Sequence, residues 1–243
     1  MKIILVYFAY KYQGNWNQIY HALSTKEYVS FDEITKLEQI IKHKKWKILT
    51  ILDKDYPHQL KLSYKPPFVL WYRGNKKVLN NKFVCVTGNY DNDIIHQRIK
   101  QFLLEIKAIY VLISLRHFAF DQIIWNYVAP KVHLIILASG LNNNISFSNE
   151  NSFILSEYPP YVKENKDHLI ACNRIIAAFS SSLIITSFIE NNESQLLIDL
   201  IDNFFNLGKE VVYFSNNAIA NHVNNALVKQ TIKLITSIKD LPE

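Results

Sequence analysis

Apolar positions along the 243-residue chain follow two rhythms. Up to about Asp55 they recur three and four residues apart: Trp16, Ile19, Tyr20 and Leu23 form one stripe. Ile34, Leu37, Ile40 and Ile41 form another, behind an opening at Phe31-Asp32-Glu33. That spacing predicts helices. Asp53-Lys54-Asp55-Tyr56-Pro57 breaks it, and Lys65-Pro66-Pro67 leads into an extended Phe68-Val69-Leu70-Trp71-Tyr72 closed by a turn at Arg73-Gly74-Asn75. Lys76 to Asn81 reads as a linker. From Phe83 onward, short apolar runs (83–86, 109–113, 132–138, 153–155, 183–185, 211–214) alternate with amphipathic stretches (94–106, 121–129, 168–179, 195–207). Unbroken apolar runs suit strands buried on both faces, and strand–helix alternation predicts a parallel sheet covered by helices. The expected fold class is α/β, a Rossmann-like, mostly parallel sheet with helices on both faces, preceded by a small helical N-terminal domain. The expected boundaries are 1–55 for the helical unit and 56–243 for the Rossmann-like unit, with 56–82 as its extended lead-in. No internal repeat is visible.

Composition narrows the function classes. Half the chain is apolar (49%) and a fifth charged (20%), which excludes a disordered chain. No apolar run reaches the roughly 18 residues of a spanning helix, since Ser180, Ser181, Ser182, Thr186 and Ser187 interrupt the nearest candidate. With no small-residue cleavage site after Met1 to Val6, the chain is expected to be cytoplasmic and away from membranes. Cys85 and Cys172 lie in apolar surroundings and are expected to be buried free thiols. Neither shows metal-ligand spacing and the eight histidines are scattered, so no metal is expected.

The net charge of +6 is unevenly distributed. Through Lys82 there are 15 Lys+Arg against 6 Asp+Glu (+9); beyond it, 12 against 15 (−3). The surplus is almost all lysine, which suits nonspecific attraction to phosphate better than bidentate base reading. Lys42, Lys44, Lys45 and Lys47 flank Trp46, which either stacks on a base or anchors a core.

Ligands of a parallel sheet sit at the carboxyl ends of its strands. The candidate loops are therefore Thr87-Gly88-Asn89-Tyr90, Ser114-Leu115-Arg116-His117, Ser139-Gly140-Leu141-Asn142 and Ser156-Glu157-Tyr158-Pro159-Pro160. A dinucleotide needs a Gly-x-Gly-x-x-Gly after the first strand. Only Gly88 is present there, so no dinucleotide and no other cofactor is expected. Ser114, His117 and Asp121 have no spacing that supports a nucleophile–base pair, and Asp121 reads as a first-turn helix acid.

Taken in order, these segments resemble the DNA-processing protein A (DprA, also called Smf) family. Asp55-Tyr56-Pro57-x-x-Leu60 and Pro66-Pro67-Phe68-Val69-Leu70-Trp71-Tyr72-Arg73-Gly74-Asn75 resemble its "YP-x-x-L" and "PP-x-vLy-x-kGN" signatures. Ser156-Glu157-Tyr158-Pro159-Pro160, Asn173-Arg174-Ile175-Ile176-Ala177 and Leu207-Gly208-Lys209-Glu210-Val211 resemble "SEYPPG", "RNRIIAGLS" and "x-GR-x-V". The tail from Asn225 to Val228 and from Lys233 to Leu241 is similar to "N-x-LI…x-LVTS-x-x-DIL". The likeness covers about Asp53 to Leu241. It implies a non-enzymatic, single-stranded-DNA-binding protein that forms a homodimer and loads the RecA recombinase during natural transformation. It also implies that the chain ends with the Rossmann-like domain and lacks the winged-helix domain of some members.

The departures fall on the DNA-contact loops. Thr87-Gly88-Asn89 stands where the family's "VG-x-R" carries an arginine. Of the second loop's "SG-x-A-x-GID", only Ser114 and Asp121 persist. The third loop keeps Gly140, Leu141 and Asn149, and "RNR" becomes Cys172-Asn173-Arg174. Each loss removes a phosphate donor or a glycine that lets backbone approach a ligand, so weaker DNA binding by this domain is expected. The resemblance implies DNA contacts at Gly88, Ser114, Asn149, Asn173 and Arg174. Asn89 and Arg116 on the altered loops, and Lys163 and Lys166 flanking the Ser156–Pro160 loop, join the candidate DNA-binding set, with Lys42, Lys44, Lys45 and Lys47 around Trp46 as accessory contacts. For Arg174 the alternative is an ion pair with Glu157, for Asn173 a local cap, for Gly88 a tight turn, and for the lysines solvation. Phe147 either stacks a base or fills core. Two other functions stay open: a nucleotide-cleaving enzyme using Glu157 and Arg174, and a scaffold that keeps only protein contacts.

Overall fold

The computed structural model describes residues 1–89, 93–115, 119–128, 133–141, 152–190, 194–214 and 232–241. Its apolar runs become nine strands of one sheet: β1 (Lys47–Thr50), β2 (Val69–Arg73), β3 (Phe83–Gly88), β4 (Val111–Ser114), β5 (His133–Leu137), β6 (Ser152–Ser156), β7 (Ser180–Ser187), β8 (Glu210–Phe214) and β9 (Lys233–Ile235). Their spatial order is β1-β2-β6-β5-β4-β3-β7-β8-β9. All pairs from β6 to β9 are parallel, while β1 with β2 and β2 with β6 are antiparallel.

Alternation along the strands sends side chains to two helical layers. Phe83, Cys85, Ile113, Leu134, Ile136, Leu155 and Leu183 pack with α4 (His58–Lys61), α7 (Lys166–Phe179) and α8 (Ser194–Asn206). Val84, Val86, Leu112, Ile184 and Val212 face α5 (Asp93–Ile109) and α6 (Ala119–Val128) on the other side. Cys85 and Cys172 are both free and buried in the first of these layers, and burial pushes both thiols well above their ordinary pKa.

The N-terminal helices α1 (Lys2–Lys11), α2 (Trp16–Ser24) and α3 (Phe31–Lys44) cover Val69 and Trp71 of β2. Leu5 to Ala9 are all buried, so α1 is apolar around most of its circumference. Ser30 and Glu33 close a capping box at the start of α3. Trp16 bridges this layer to the chain before β2: its Nε1 donates to Pro66 O (2.9 Å) and its ring stacks on Phe68 and Tyr20.

The expectation of helix to about Asp55 needs correction at its end. Lys45 adopts a left-handed conformation (φ 53°) that stops α3, and residues 47–50 form β1. Ile48 pairs with Trp71 and Leu49 with Leu70, so partners more than twenty residues away override the local helical spacing. Lys76–Asn80, read as a linker, forms a 3₁₀ turn that buries Val78 and Leu79.

Candidate functional site

Strand order reverses direction at β3. The chain builds β4, β5 and β6 on one side of it and β7, β8 and β9 on the other, which makes the carboxyl ends of β3 and β7 the topological switch point. Polar side chains among the described residues bond there to one another and to the backbone. The Asn89 amide donates to Ile189 O (2.8 Å), and its oxygen accepts from Ile189 N (2.9 Å). Thr87 Oγ1 donates to Asp121 Oδ1 (3.0 Å), Thr186 Oγ1 to Thr87 O (3.1 Å) and Ser194 Oγ to Ile189 O (2.9 Å). A Cβ on Gly88 would collide with Ser187 Oγ and lie 2.9 Å from Thr186 Oγ1, so this glycine serves the close packing of β3 on β7. Ser114 ends β4, half-buried. Arg116, His117, Asn142, Phe147 and Asn149 lie outside the described residues, as does the tail motif at 225–228.

The Ser156–Pro160 loop is clasped to the end of β5. Ser156 Oγ donates to Ser139 O (2.7 Å), Gly140 N donates to Val162 O (2.8 Å), and a Cβ at Gly140 would collide with Pro159 O. Under this loop Arg174 meets Glu157 in a two-point ion pair, Nη1 to Oε1 at 2.8 Å and Nη2 to Oε2 at 2.5 Å. Nε of Arg174 donates to Lys65 O (2.9 Å), and Nη1 also donates to Ala171 O. Burial opposes the guanidinium charge, yet the Glu157 carboxylate overrides it and holds the arginine above its ordinary pKa. Burial, seconded by Glu157, pushes the nearby Tyr56 and Tyr158 phenols up, and Tyr56 donates to Pro67 O (2.6 Å). Asn173 is fully buried, its amide donating to Leu196 O (3.0 Å) to join α7 to α8. The ion pair weighed for Arg174 is thus the contact seen. Asn89, Asn173 and Arg174 all point their polar atoms inward.

The exposed cations lie elsewhere, and the fold gathers two sets that are far apart in sequence. Lys42, Lys44, Lys45 and Lys47 are exposed around the α3–β1 junction, and Lys163 and Lys166 are exposed on the segment from β6 to α7. Trp46 connects them, its ring lying 6.0 Å from that of Tyr10 and 6.4 Å from that of Tyr161. Beside Trp46 opens a cavity of about 130 Å³, lined by Lys44, Lys45, Trp46, Lys47, Trp71, Tyr72, Arg73, Leu141 and Pro160. Leu141 and Pro160 follow the carboxyl ends of β5 and β6, so the cavity adjoins the expected ligand edge. Sequence reading did not single out Arg73, treating Arg73-Gly74-Asn75 as a turn, although it fills the basic position of the "kGN" signature in a positively charged segment. A broader cleft of about 640 Å³ between α4 and the 3₁₀ turn contains Lys54, Lys76 and Lys77, but Lys76 is held by Asp55 at 2.7 Å.

A family model described as DNA recombination-mediator protein A matches residues 47–112 and 132–243, starting at the first residue of β1. Among solved structures, the chain is similar to DNA processing protein A (DprA) from Streptococcus pneumoniae. The identity is 17%, covering 99% of this chain and 96% of that one, with a TM-score of 0.74. It is also similar to DNA processing protein A from Helicobacter pylori, solved for its single-stranded DNA binding mode. There the identity is 19%, covering 80% of this chain and 93% of that one, with a TM-score of 0.64. No curated protein matches the chain.

Proposed function

Because the chain belongs to the DNA recombination-mediator protein A family, we propose that it binds single-stranded DNA without chemically altering it. In this reading it acts as a homodimer in the cytoplasm and passes the strand to RecA, in transformation or recombination. The observation that carries the proposal is the family match over both halves of the sheet, supported by the DNA-binding mode named for the Helicobacter pylori protein of the same fold.

Within that reading the electrostatic attraction comes from the exposed lysines, Lys42, Lys44, Lys45 and Lys47 with Lys163 and Lys166. Gly88, Asn89, Asn173 and Arg174 set the loops in place; Ser114 and Asn149 are further contacts implied by the family resemblance, and Arg116, a replacement on the second loop, is a further candidate contact. The test is binding of a labelled oligo(dT) at low and moderate salt, with the products examined for cleavage. Affinity should fall steeply with salt, log K against log[salt] having a slope near −0.7 per phosphate neutralised, and the oligonucleotide should be recovered intact. Absence of binding at low salt overturns the proposal, and turnover of the strand or of nucleotides would replace it with an enzyme.

A further inference from the structure

We propose that the cavity at the α3–β1 junction is a nucleotide subsite, in which one base of a single strand lies against Trp46 and the flanking phosphates meet Lys45 and Lys47. This inference rests on the single-stranded-DNA reading above and gives the strand a defined foothold in the N-terminal layer.

Four observations converge on the cavity. Its described lining residues include three exposed lysines, Lys44, Lys45 and Lys47, and no carboxylate, so its field favours an anion. Trp46 is half-buried rather than sunk in a core, with the rings of Tyr10 and Tyr161 tilted against it, which leaves ring surface for stacking. Trp71, on the floor, is 1% exposed and its indole N–H has no hydrogen-bond partner among the described residues. The rim is strained as well: Lys45 at φ 53° and Tyr161 at φ 76° both occupy the left-handed region that side chains avoid. Such outliers gather where a site needs a fixed shape. At about 130 Å³ the space suits one base or phosphate group, well short of the several hundred Å³ that a larger ligand occupies.

The test uses the full chain and fluorescence-labelled oligo(dT), with tryptophan quenching as a second readout. Trp46→Leu should weaken binding by about tenfold or more, the loss of one stacked base. Lys45→Gly with Lys47→Ala should make the salt slope shallower by about 1.4. Glycine at 45 also relaxes the left-handed backbone, so this variant loses charge without straining the fold. If wild type binds and both variants bind equally well with an unchanged salt slope, the subsite is wrong while the DNA-binding function stands. If wild type itself fails to bind at low salt, the function fails and the subsite with it.

Discussion

A guanidinium held by both oxygens of a buried carboxylate is a poor ligand for anything else. Arg174 is 12% exposed at its side chain and Glu157 5%, and releasing the arginine to a DNA phosphate would strand the glutamate in an apolar layer. Breaking such a pair from one side costs about 3–5 kcal/mol, whereas replacing both partners by apolar residues costs far less. Arg174→Ala should therefore lower stability in urea unfolding by about that amount, and Arg174→Met with Glu157→Leu should recover most of it. A loss of DNA binding in Arg174→Ala is then a folding effect. If Arg174→Ala is as stable as wild type but cannot bind DNA, the arginine is a contact residue after all. Position within a motif identified this side chain and Glu157 was weighed as its partner, but motif spacing does not decide between that ion pair and a DNA contact. The partner depends on Glu157 reaching it from the far end of β6.

At the level of elements, α7 ends without a glycine or any other left-handed cap, and its last carbonyls are served from a distance. Lys209 Nζ donates to Ala177 O (2.6 Å), Ala178 O (2.9 Å) and Ser180 O (2.6 Å). Burial lowers its pKa to about 8, although the three carbonyls favour the charged form. An unfolded lysine keeps its proton to about 10.4. Between those values the unfolded chain binds more protons, so stability contributed here rises with pH and is lost as pH falls through about 8. Lys209→Met should be destabilised by about 1–2 kcal/mol at neutral pH. Its deficit relative to wild type should widen between pH 8 and 10; a deficit that narrows would show that the carbonyls outweigh burial. Most elements were legible because their driving force is local. The apolar runs at 83–86, 153–155 and 211–214 lie inside β3, β6 and β8, and the stripe at 195–207 is α8. What escaped depends on remote partners: β1 exists through its pairing with β2, and the cavity around Trp46 is assembled from residues between 44 and 160. The lysines beside Trp46 were visible; the arginine, second tryptophan and proline that complete the cavity were not.

For the whole molecule, charge and packing give the N-terminal layer two roles at once. It carries the lysine cluster, and it also covers Val69 and Trp71 with α1, α2 and α3. Deleting the residues before Asp53 would remove β1 with the helices and uncover that face of β2. The truncated chain should therefore bind a hydrophobic dye and elute as aggregates in size-exclusion chromatography, in contrast to full-length protein. A soluble, compact truncation would show that the parallel sheet stands without this layer. Because of this coupling, charge substitutions at Lys45 and Lys47 separate DNA attraction from folding, and truncation does not.

The antiparallel seam between β2 and β6 also bears on how the chain is made. During synthesis β1 and β2 leave the ribosome early, yet the strand they dock on spans residues 152–156, about eighty positions later. β3 waits longer still for β7, which begins at Ser180. Until those segments emerge, Trp71 and its neighbours have their helices on one face but no parallel core at their side. The nascent chain must carry its first third as an unfinished edge for most of its translation, and the sheet closes from the middle outward near the end.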